Sequence, residues 1–162
     1  MTVRRFNAFG WENVPVLSYK EGGPYKDVTR QILFEGAESL PVQWRYFEVQ
    51  PGGHSTLERH EHIHWVLILR GRGACLVGDE ITAIAEHDLV EIGPMQWHQF
   101  RAAEDAPLGF MCLVDLIAVG SGEAKTFSSL FVSKRGIANM DDFAVDFVVC
   151  ADGSKSFHGV AS

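Results

Sequence analysis

The segment GGHSTLERHEHIHWVLILRGRG, residues 52–73, places four histidines and two glutamates in the thirteen positions before an apolar run. This density of titratable side chains directly before a predicted core strand has two explanations. One is a polar loop that leads into the strand. The other is a metal site, because a divalent ion of borderline hardness prefers a mixture of imidazole and carboxylate ligands.

Alternate residues in the first part of this segment carry the candidate ligands Glu58, His60, His62 and His64. Side chains two residues apart point to the same face of an extended chain, so an extended segment would present all four together. The same alternation predicts that Trp65, Leu67 and Leu69 point the opposite way, into a packing layer.

One strand cannot complete a coordination shell, so a further ligand must come from a neighbouring strand. His98 is the candidate, within GPMQWHQFR at 93–101. It follows the apolar run DLVEI at 88–92 and a Gly-Pro turn, and aromatic residues flank it. The sequence therefore predicts that His98 joins the histidine-rich segment.

Most of the chain consists of short runs rich in Val, Ile, Leu and aromatic residues, separated by Gly- and Pro-containing turns. Examples are VTRQILF (28–34), VQWRYFEV (42–49), EITAIA (80–85), LGFMCLV (108–114) and DFAVDFVVC (142–150). This pattern predicts an all-β fold, either an antiparallel sandwich or a barrel. We expect RGRG (70–73) to be a turn between the strands WVLILR (65–70) and ACLV (74–77). We also expect VGDE (77–80) to be a tight hairpin turn with a positive φ at Gly78.

Composition limits the classes of partner. The chain has 162 residues and a formal net charge of -7, and its Lys and Arg residues are scattered, so nucleic acid and anionic membranes are not expected partners. No apolar run approaches the roughly 20 residues of a membrane helix. Cys75, Cys112 and Cys150 are odd in number and widely spaced, which is typical of reduced thiols and predicts a cytoplasmic protein.

The quoted segment resembles the first motif of the cupin family, G(x)5HxH(x)3–4E(x)6G. Gly52, His60 and Gly71 keep its spacing, but Glu58 stands where the motif has His and His64 stands where it has Glu. The two ligand types have exchanged places, so three imidazoles and one carboxylate remain.

The second cupin motif, G(x)5PxG(x)2H(x)3N, is degenerate here. His98 holds its ligand position, whereas His87, Gly93, Met95 and Ala102 replace the usual Gly, Pro, Gly and Asn. The resemblance covers about residues 40–118 and implies a jelly-roll-like β-barrel, with a metal inside it and often a homodimer. We predict one domain over residues 1–162, in which 119–162 form a C-terminal extension that has no role we can assign from sequence.

The resemblance implies that Glu58, His60, His64 and His98 bind the metal. Glu58 has two alternative roles, as an orienting partner of an imidazole or as a general base. His62 is expected to face solvent or to contact one of the metal-binding side chains rather than the ion. Cys112 is either a small buried core residue or a thiol that faces the cavity and acts in catalysis. The arginines near the predicted strands are mostly solvated, and one could bind an anionic substrate: Arg45, Arg59, Arg70 and Arg101.

Three imidazoles and one carboxylate leave positions for a bidentate oxygen substrate on an octahedral ion. Such an ion would act as a Lewis acid that stabilises an enediolate of a small oxygenated substrate. The ligand set favours Mn(II), Fe(II) or Ni(II) over Zn(II), and a narrower family resemblance favours Mn(II) over the other three. Cupins include several functional classes, so four alternatives stay open. They are a metal-dependent lyase, isomerase or thiol-dependent oxidoreductase, a non-haem iron dioxygenase, a polyketide-cyclase-like cupin, and a non-catalytic metal- or ligand-binding cupin.

A narrower resemblance connects ERHEHIH (58–64), HQFRA (98–102) and PLGFMCLVD (107–115) to the small cupins of methylthioadenosine salvage. Those proteins act on 1-methylthioxylulose 5-phosphate and release methanethiol, with Mn(II) and a thiol reductant. The resemblance implies the same C–S cleavage here, with Cys112 as the candidate for the sulfur step.

Overall fold

The computed structural model describes residues 3–7, 10–116, 125–126, 145–149 and 155–159. Its elements are strands, as the all-β prediction requires. They are β1 (Phe6–Asn7), β2 (Gly10–Trp11), β3 (Leu17–Ser18), β4 (Lys26–Phe34), β5 (Val42–His54), β6 (Glu58–Arg59), β7 (His64–Val77), β8 (Glu80–Ala85), β9 (Leu89–Ile92), β10 (His98–Ala102), β11 (Leu108–Asp115), β12 (Lys125–Thr126), β13 (Val145–Val149) and β14 (Lys155–Gly159). Most of the predicted extension at 119–162 lies outside the described residues.

Ten strands form one antiparallel sheet in which β6, β10, β7, β11, β5 and β4 follow one another. The sheet closes because β10 pairs with β7 along its length and also with the end of β5, where Arg101 lies opposite His54. Strands β8 and β9 both pair with β7. Closure removes the exposed sheet edges at this point and produces the predicted barrel.

The barrel interior is filled by apolar side chains. The most buried members include Val49, Val66, Ile68, Leu108 and Val114. Phe47 stacks on Phe110, with ring centroids 5.2 Å apart, and Phe110 stacks on Phe100 at 4.5 Å. Burial of this apolar surface supplies the main favourable free energy of folding.

The predicted packing layer of Trp65, Leu67 and Leu69 is wrong. Trp65 is 52% exposed, whereas Val66 and Ile68 are almost completely buried. The apolar side chains that fill the barrel therefore have the same parity as His64. The segment does not separate ligands from core on opposite faces, because the interior of a closed barrel contains both the ligand cluster and the apolar core.

The predicted turn at RGRG is also wrong, because β7 runs without interruption from His64 to Val77. A Cβ atom at Gly71 would collide with the carbonyl oxygen of Pro107, and one at Gly73 would collide with that of Arg101. These glycines therefore allow close approach of neighbouring backbones inside a strand. The hairpin prediction at VGDE is confirmed, since β7 and β8 pair across it and Gly78 has a φ of 65°.

Candidate metal centre

Strand pairing brings two distant sequence segments together at one end of the barrel. Glu58 lies on the short strand β6, and residues 60–63 bend before β7 begins at His64. His98 begins β10 and is paired with Glu58 on one side and with Val77 on the other. Strand pairing therefore places His98 beside the histidine-rich segment.

The donor atoms form two overlapping groups, Glu58–His60–His98 and His60–His62–His64, and the atoms of each group lie within 4.8 Å of one another. Nε2 of His60 is 3.0 Å from Nε2 of His64, and Nε2 of His98 is 4.0 Å from Oε1 of Glu58. All four predicted ligands are buried, and the structure brings them into one cluster.

The Nδ1 atoms of two imidazoles have carbonyl partners, which orients the opposite nitrogen toward the cluster. Nδ1 of His60 lies 3.3 Å from the carbonyl oxygen of His62, and Nδ1 of His98 lies 3.0 Å from that of Gln96. A carbonyl only accepts, so both Nδ1 atoms carry the proton and leave the Nε2 lone pair available. Backbone contacts of this kind fix the tautomer of metal-binding histidines.

His62 is only partly buried, but it is close to the cluster. Its ring stacks on that of His60, with centroids 3.6 Å apart and an interplanar angle of 6°. The sequence assigned His62 no contact with the ion, whereas the structure places its donor atom among those of His60 and His64. The geometry thus contains two candidate groups of three ligands.

Burial keeps the clustered imidazoles neutral. It lowers the pKa of His60 from 6.5 to about 4, assisted by the charge of His98, and lowers the pKa of His62 to about 4, assisted by His60. The pKa values of His64 and His98 are also lowered, first by burial. Neutral imidazole is the form that binds metals, so these histidines need no deprotonation near pH 7.

The carboxylate of Glu58 is ionised although it is buried. Burial by itself would raise the pKa of Glu58, but the Lys20 ammonium and, after it, the interaction with His98 outweigh burial and hold the pKa below the usual 4.5. Lys20 forms an ion pair with Oε2, and the hydroxyl of Tyr19 donates to Oε1 at 3.4 Å. The sequence reasoning missed Lys20 and Tyr19, because they lie far upstream and only the folded barrel brings them to Glu58.

Cys112 is part of the apolar core and also contacts this cluster. Its Sγ atom lies 3.0 Å from Nδ1 of His64. Burial raises the pKa of Cys112 to about 12; Arg45 opposes the increase and Glu58 adds to it. Cys112 and Cys75 are both free thiols among the described residues. The thiol therefore contacts the ring of one candidate metal ligand, at the nitrogen opposite the one that meets His60.

The four arginines considered from sequence have different surroundings. Arg70 pairs with Glu48, and Arg101 lies 3.7 Å from the carboxylate of Glu104. The guanidinium of Arg59 stacks over Trp97, 4.7 Å from the ring centroid. Arg45 is aligned with Cys112 on the neighbouring strand. Of the four, Arg45 is thus the one that the strand register aligns with the thiol.

Two of the residues that depart from the second cupin motif have positive φ angles. His87 and Met95 stand where that motif has glycine, and their φ angles are 75° and 58°. The left-handed region strongly favours glycine, so both residues adopt a conformation that the family pattern predicts for a different residue type. The backbone nitrogen of Met95 donates to the carbonyl oxygen of His60 at 2.7 Å, which ties this turn to the cluster.

A divalent cation suits this cluster. Buried neutral imidazoles and one ionised carboxylate converge, and two ring nitrogens lie 3.0 Å apart. Two nitrogens each about 2.1 Å from an ion are separated by roughly 3 Å when they bind at a right angle.

Among the residues that the structure describes, no helix is long and apolar enough to cross a membrane.

Comparisons with known proteins agree with this fold. The cupin domain model matches residues 45–114. The chain is 54% identical over 109 residues to 1-methylthio-D-xylulose 5-phosphate methylsulfurylase of Rhodospirillum rubrum. The aligned segment covers 66% of this chain and 69% of that protein.

Two crystal structures are similar throughout the barrel. A cupin 2 conserved barrel domain protein from Rhodopseudomonas palustris is 46% identical, with a TM-score of 0.68, over 79% of this chain and 86% of that one. A cupin-2 domain protein from Rhodospirillum rubrum is 45% identical, with a TM-score of 0.64, over 78% and 82%. The barrel, its ligand cluster and these relatives together show that the chain belongs to the cupin-2 family.

Proposed function

We propose that this protein is a metal-dependent enzyme that cleaves the C–S bond of 1-methylthio-D-xylulose 5-phosphate and releases methanethiol. The observation that carries the proposal is the 54% identity to a methylsulfurylase, in a barrel that clusters a carboxylate and imidazoles. Identity of this degree over the barrel makes a shared substrate class the simplest expectation. Cys112 also places a thiol next to His64, and the proposed sulfur chemistry needs a thiol.

The proposed ligands are Glu58, His60, His64 and His98, and Mn(II) is the preferred ion. Support comes from their burial and from the lone pairs that the Nδ1 contacts leave facing the cluster. When bound, the ion would supply Lewis acidity that stabilises negative charge on the substrate oxygens. The low pKa of Glu58 suits a ligand better than a general base, since a weak base accepts a proton poorly near pH 7.

The proposed reaction replaces a carbon–sulfur bond by a carbon–hydrogen bond and therefore needs two electrons. Two thiols supply them and become a disulfide, so the substrate and two thiols give a 1-deoxyketose 5-phosphate, methanethiol and the disulfide. We assign the first attack to Cys112, which attacks the methylthio sulfur and takes it as a mixed disulfide. The electron pair of the broken bond stays on C1 beside the C2 carbonyl, and C1 then takes a proton.

The surroundings of Cys112 bear on this attack, because the thiolate is the reactive form. With Nε2 directed to the ion, Nδ1 of His64 carries a proton and donates it toward Sγ at 3.0 Å. Burial and Glu58 raise the pKa of the thiol, whereas Arg45 lowers it. One exogenous thiol then displaces methanethiol from the mixed disulfide, and a second releases Cys112 as a free thiol, so that the two exogenous thiols become the disulfide. This requirement fits the reducing cytoplasm, the compartment predicted from cysteine usage.

The direct test is an assay of purified protein with Mn(II), 1-methylthio-D-xylulose 5-phosphate and dithiothreitol. We expect methanethiol and 1-deoxyxylulose 5-phosphate in equal amounts, with one disulfide formed per turnover. Absence of methanethiol from protein that holds one equivalent of Mn(II) would refute the proposal. Oxygen consumption by iron-loaded protein with a substrate would instead support the dioxygenase alternative.

The homodimer expected from the family resemblance stays a prediction. Its support is an apolar row on the outer face of the barrel, where Trp44 and Trp65 lie on either side of Leu113 in register. Trp44 is 39% exposed and Trp65 is 52% exposed. Light scattering is expected to give twice the chain mass of 18.0 kDa, and the mass of a single chain would refute the dimer.

A further inference from the structure

Two arginines on neighbouring strands share the interior face of the barrel. Arg30 on β4 lies opposite Phe47, a core residue of β5. Arg45 on β5 lies opposite Ile32 on one side and Cys112 on the other. Directly paired residues of an antiparallel sheet point to the same face. Arg30 and Arg45 are therefore diagonal neighbours on the face that carries the thiol.

Within the part of the chain that the structure describes, neither guanidinium group has a carboxylate partner. Among residues 3–7 and 10–116, the ion pairs formed by arginine involve Arg70, Arg72 and Arg101. Nε of Arg30 is buried and has no hydrogen-bond partner there, while Nε of Arg45 donates to the side chain of Gln43. Nitrogens of Arg59 and Arg101 are likewise unpartnered, but Arg59 stacks on Trp97 and Arg101 is beside Glu104.

A buried donor without an acceptor is costly, and two adjacent cations repel each other. The pKa of Arg45 is lowered by burial and by the charge of Arg30. An anion with several acceptor oxygens between the two groups would satisfy the donors and remove the repulsion. Phosphate fits this requirement, because guanidinium groups bind it through paired hydrogen bonds.

We propose that Arg30 and Arg45 bind the phosphate group of a phosphorylated ketose, which places its other end at Cys112 and the candidate metal centre. The identification of this phosphate as the 5-phosphate of the methylthio sugar rests on the proposed function. The order of strands supports it, since Arg45, Cys112 and His64 lie on β5, β11 and β7 in turn. Neighbouring strands are about 4.8 Å apart, so Arg45 and His64 are separated by roughly 10 Å of sheet. A short phosphorylated carbon chain could span that separation and pass the thiol between its ends.

Binding measurements with two small-molecule probes test the proposal without relying on turnover. The probes are D-xylulose 5-phosphate and D-xylulose, titrated calorimetrically into Mn(II)-loaded protein. We expect the phosphorylated sugar to bind at least about 100-fold more tightly than the free sugar, since two charge-assisted contacts add to its affinity. Arg30→Gln and Arg45→Gln should each weaken binding of the phosphorylated sugar by about tenfold or more and leave binding of D-xylulose unchanged.

Arg72→Gln is the matched control, because it removes the same charge from an exposed residue paired with Asp105. It should bind both probes like the unmodified protein. Thermal melting and Mn(II) stoichiometry identify variants that fold and keep the metal centre. Folded Arg30→Gln and Arg45→Gln proteins that bind D-xylulose 5-phosphate with unchanged affinity would overturn the proposal.

The proposed function and this site fail in different ways. Arginine-dependent binding of D-xylulose 5-phosphate without methanethiol release from the methylthio sugar would refute the reaction and support the phosphate site. Methanethiol release with an unchanged KM in both arginine variants would refute the phosphate site and support the reaction.

Discussion

Glu58 and His98 lie directly opposite each other on β6 and β10, with Oε1 and Nε2 4.0 Å apart. This pair joins the histidine-rich segment to the strand that follows the Gly-Pro turn. Both side chains are buried, and each charge distribution affects the other: Glu58 favours protonation of His98, and His98 favours ionisation of Glu58. An ion between them would replace a weak mutual interaction by two coordinate bonds.

Glu58→Gln should lower the affinity for Mn(II) by more than about a hundredfold, because it removes the single anionic ligand of the proposed set. His62→Ala should cost about tenfold or less, since His62 is assigned a place beside the ligands. Isothermal titration with Mn(II) measures both effects, and Glu61→Gln at an exposed neighbouring position is the control. A larger loss in His62→Ala than in Glu58→Gln would favour the His60–His62–His64 group as the binding site.

Cys112→Ser should retain one equivalent of metal and lose methanethiol release by at least about a hundredfold, because a hydroxyl is a poor nucleophile toward sulfur. Cys75→Ser is the matched substitution, since Cys75 is also a buried free thiol and is part of the apolar core. We expect Cys75→Ser to retain turnover when it is folded. Equal turnover in the two variants would return Cys112 to a plain packing role.

The metal-free protein should become less stable as the pH falls from about 6.5 to about 4. The folded-state pKa of His62 is lowered from 6.5 to about 4, so the unfolded chain binds more protons in this window. Its contribution to stability is present above pH 6.5 and is lost as the pH falls. Urea midpoints in the presence of a chelator measure the loss, which should be smaller in His62→Ala. An identical loss in the two proteins would contradict the assigned pKa shift.

Met95→Gly should raise the free energy of unfolding by up to about 1 kcal/mol, because Met95 is exposed and has a φ of 58°. Glycine adopts this conformation without the steric cost of a Cβ atom. Gln96→Gly, at the neighbouring exposed position, is the control and should be destabilising. Urea denaturation of the metal-free proteins measures both, and a less stable Met95→Gly protein would contradict the strain that we infer from φ.

The sequence predicted the β class, the cupin barrel and the cluster of Glu58, His60, His64 and His98, because these depend on local strand patterns and on motif spacing. It predicted the wrong packing face for Trp65, since period-two alternation distinguishes two faces but does not say which one a closed barrel encloses. It predicted a turn at RGRG because glycine is common in turns. The sequence alone does not distinguish such a glycine from one that allows close approach of backbones within a strand.

The remaining features of the site depend on strand register between distant segments. Lys20 reaches Glu58 across 38 residues of sequence, and the thiol of Cys112 reaches His64 across 48. The alignment of Arg30 with Phe47 likewise follows from the pairing of β4 with β5. No local pattern around these residues indicates which strands pair, so their roles could be identified only once the register was known.

The most direct test of the account is the metal content of untagged protein purified without chelators, measured by elemental analysis beside His60→Ala and His98→Ala. We predict about one equivalent of Mn(II) per chain in the unmodified protein and none in either variant. His87→Asn is the control, because it removes an exposed imidazole and asparagine tolerates the left-handed backbone at that position. Stoichiometric metal in folded His60→Ala or His98→Ala, or no metal taken up by the unmodified protein on titration, would contradict the proposed centre.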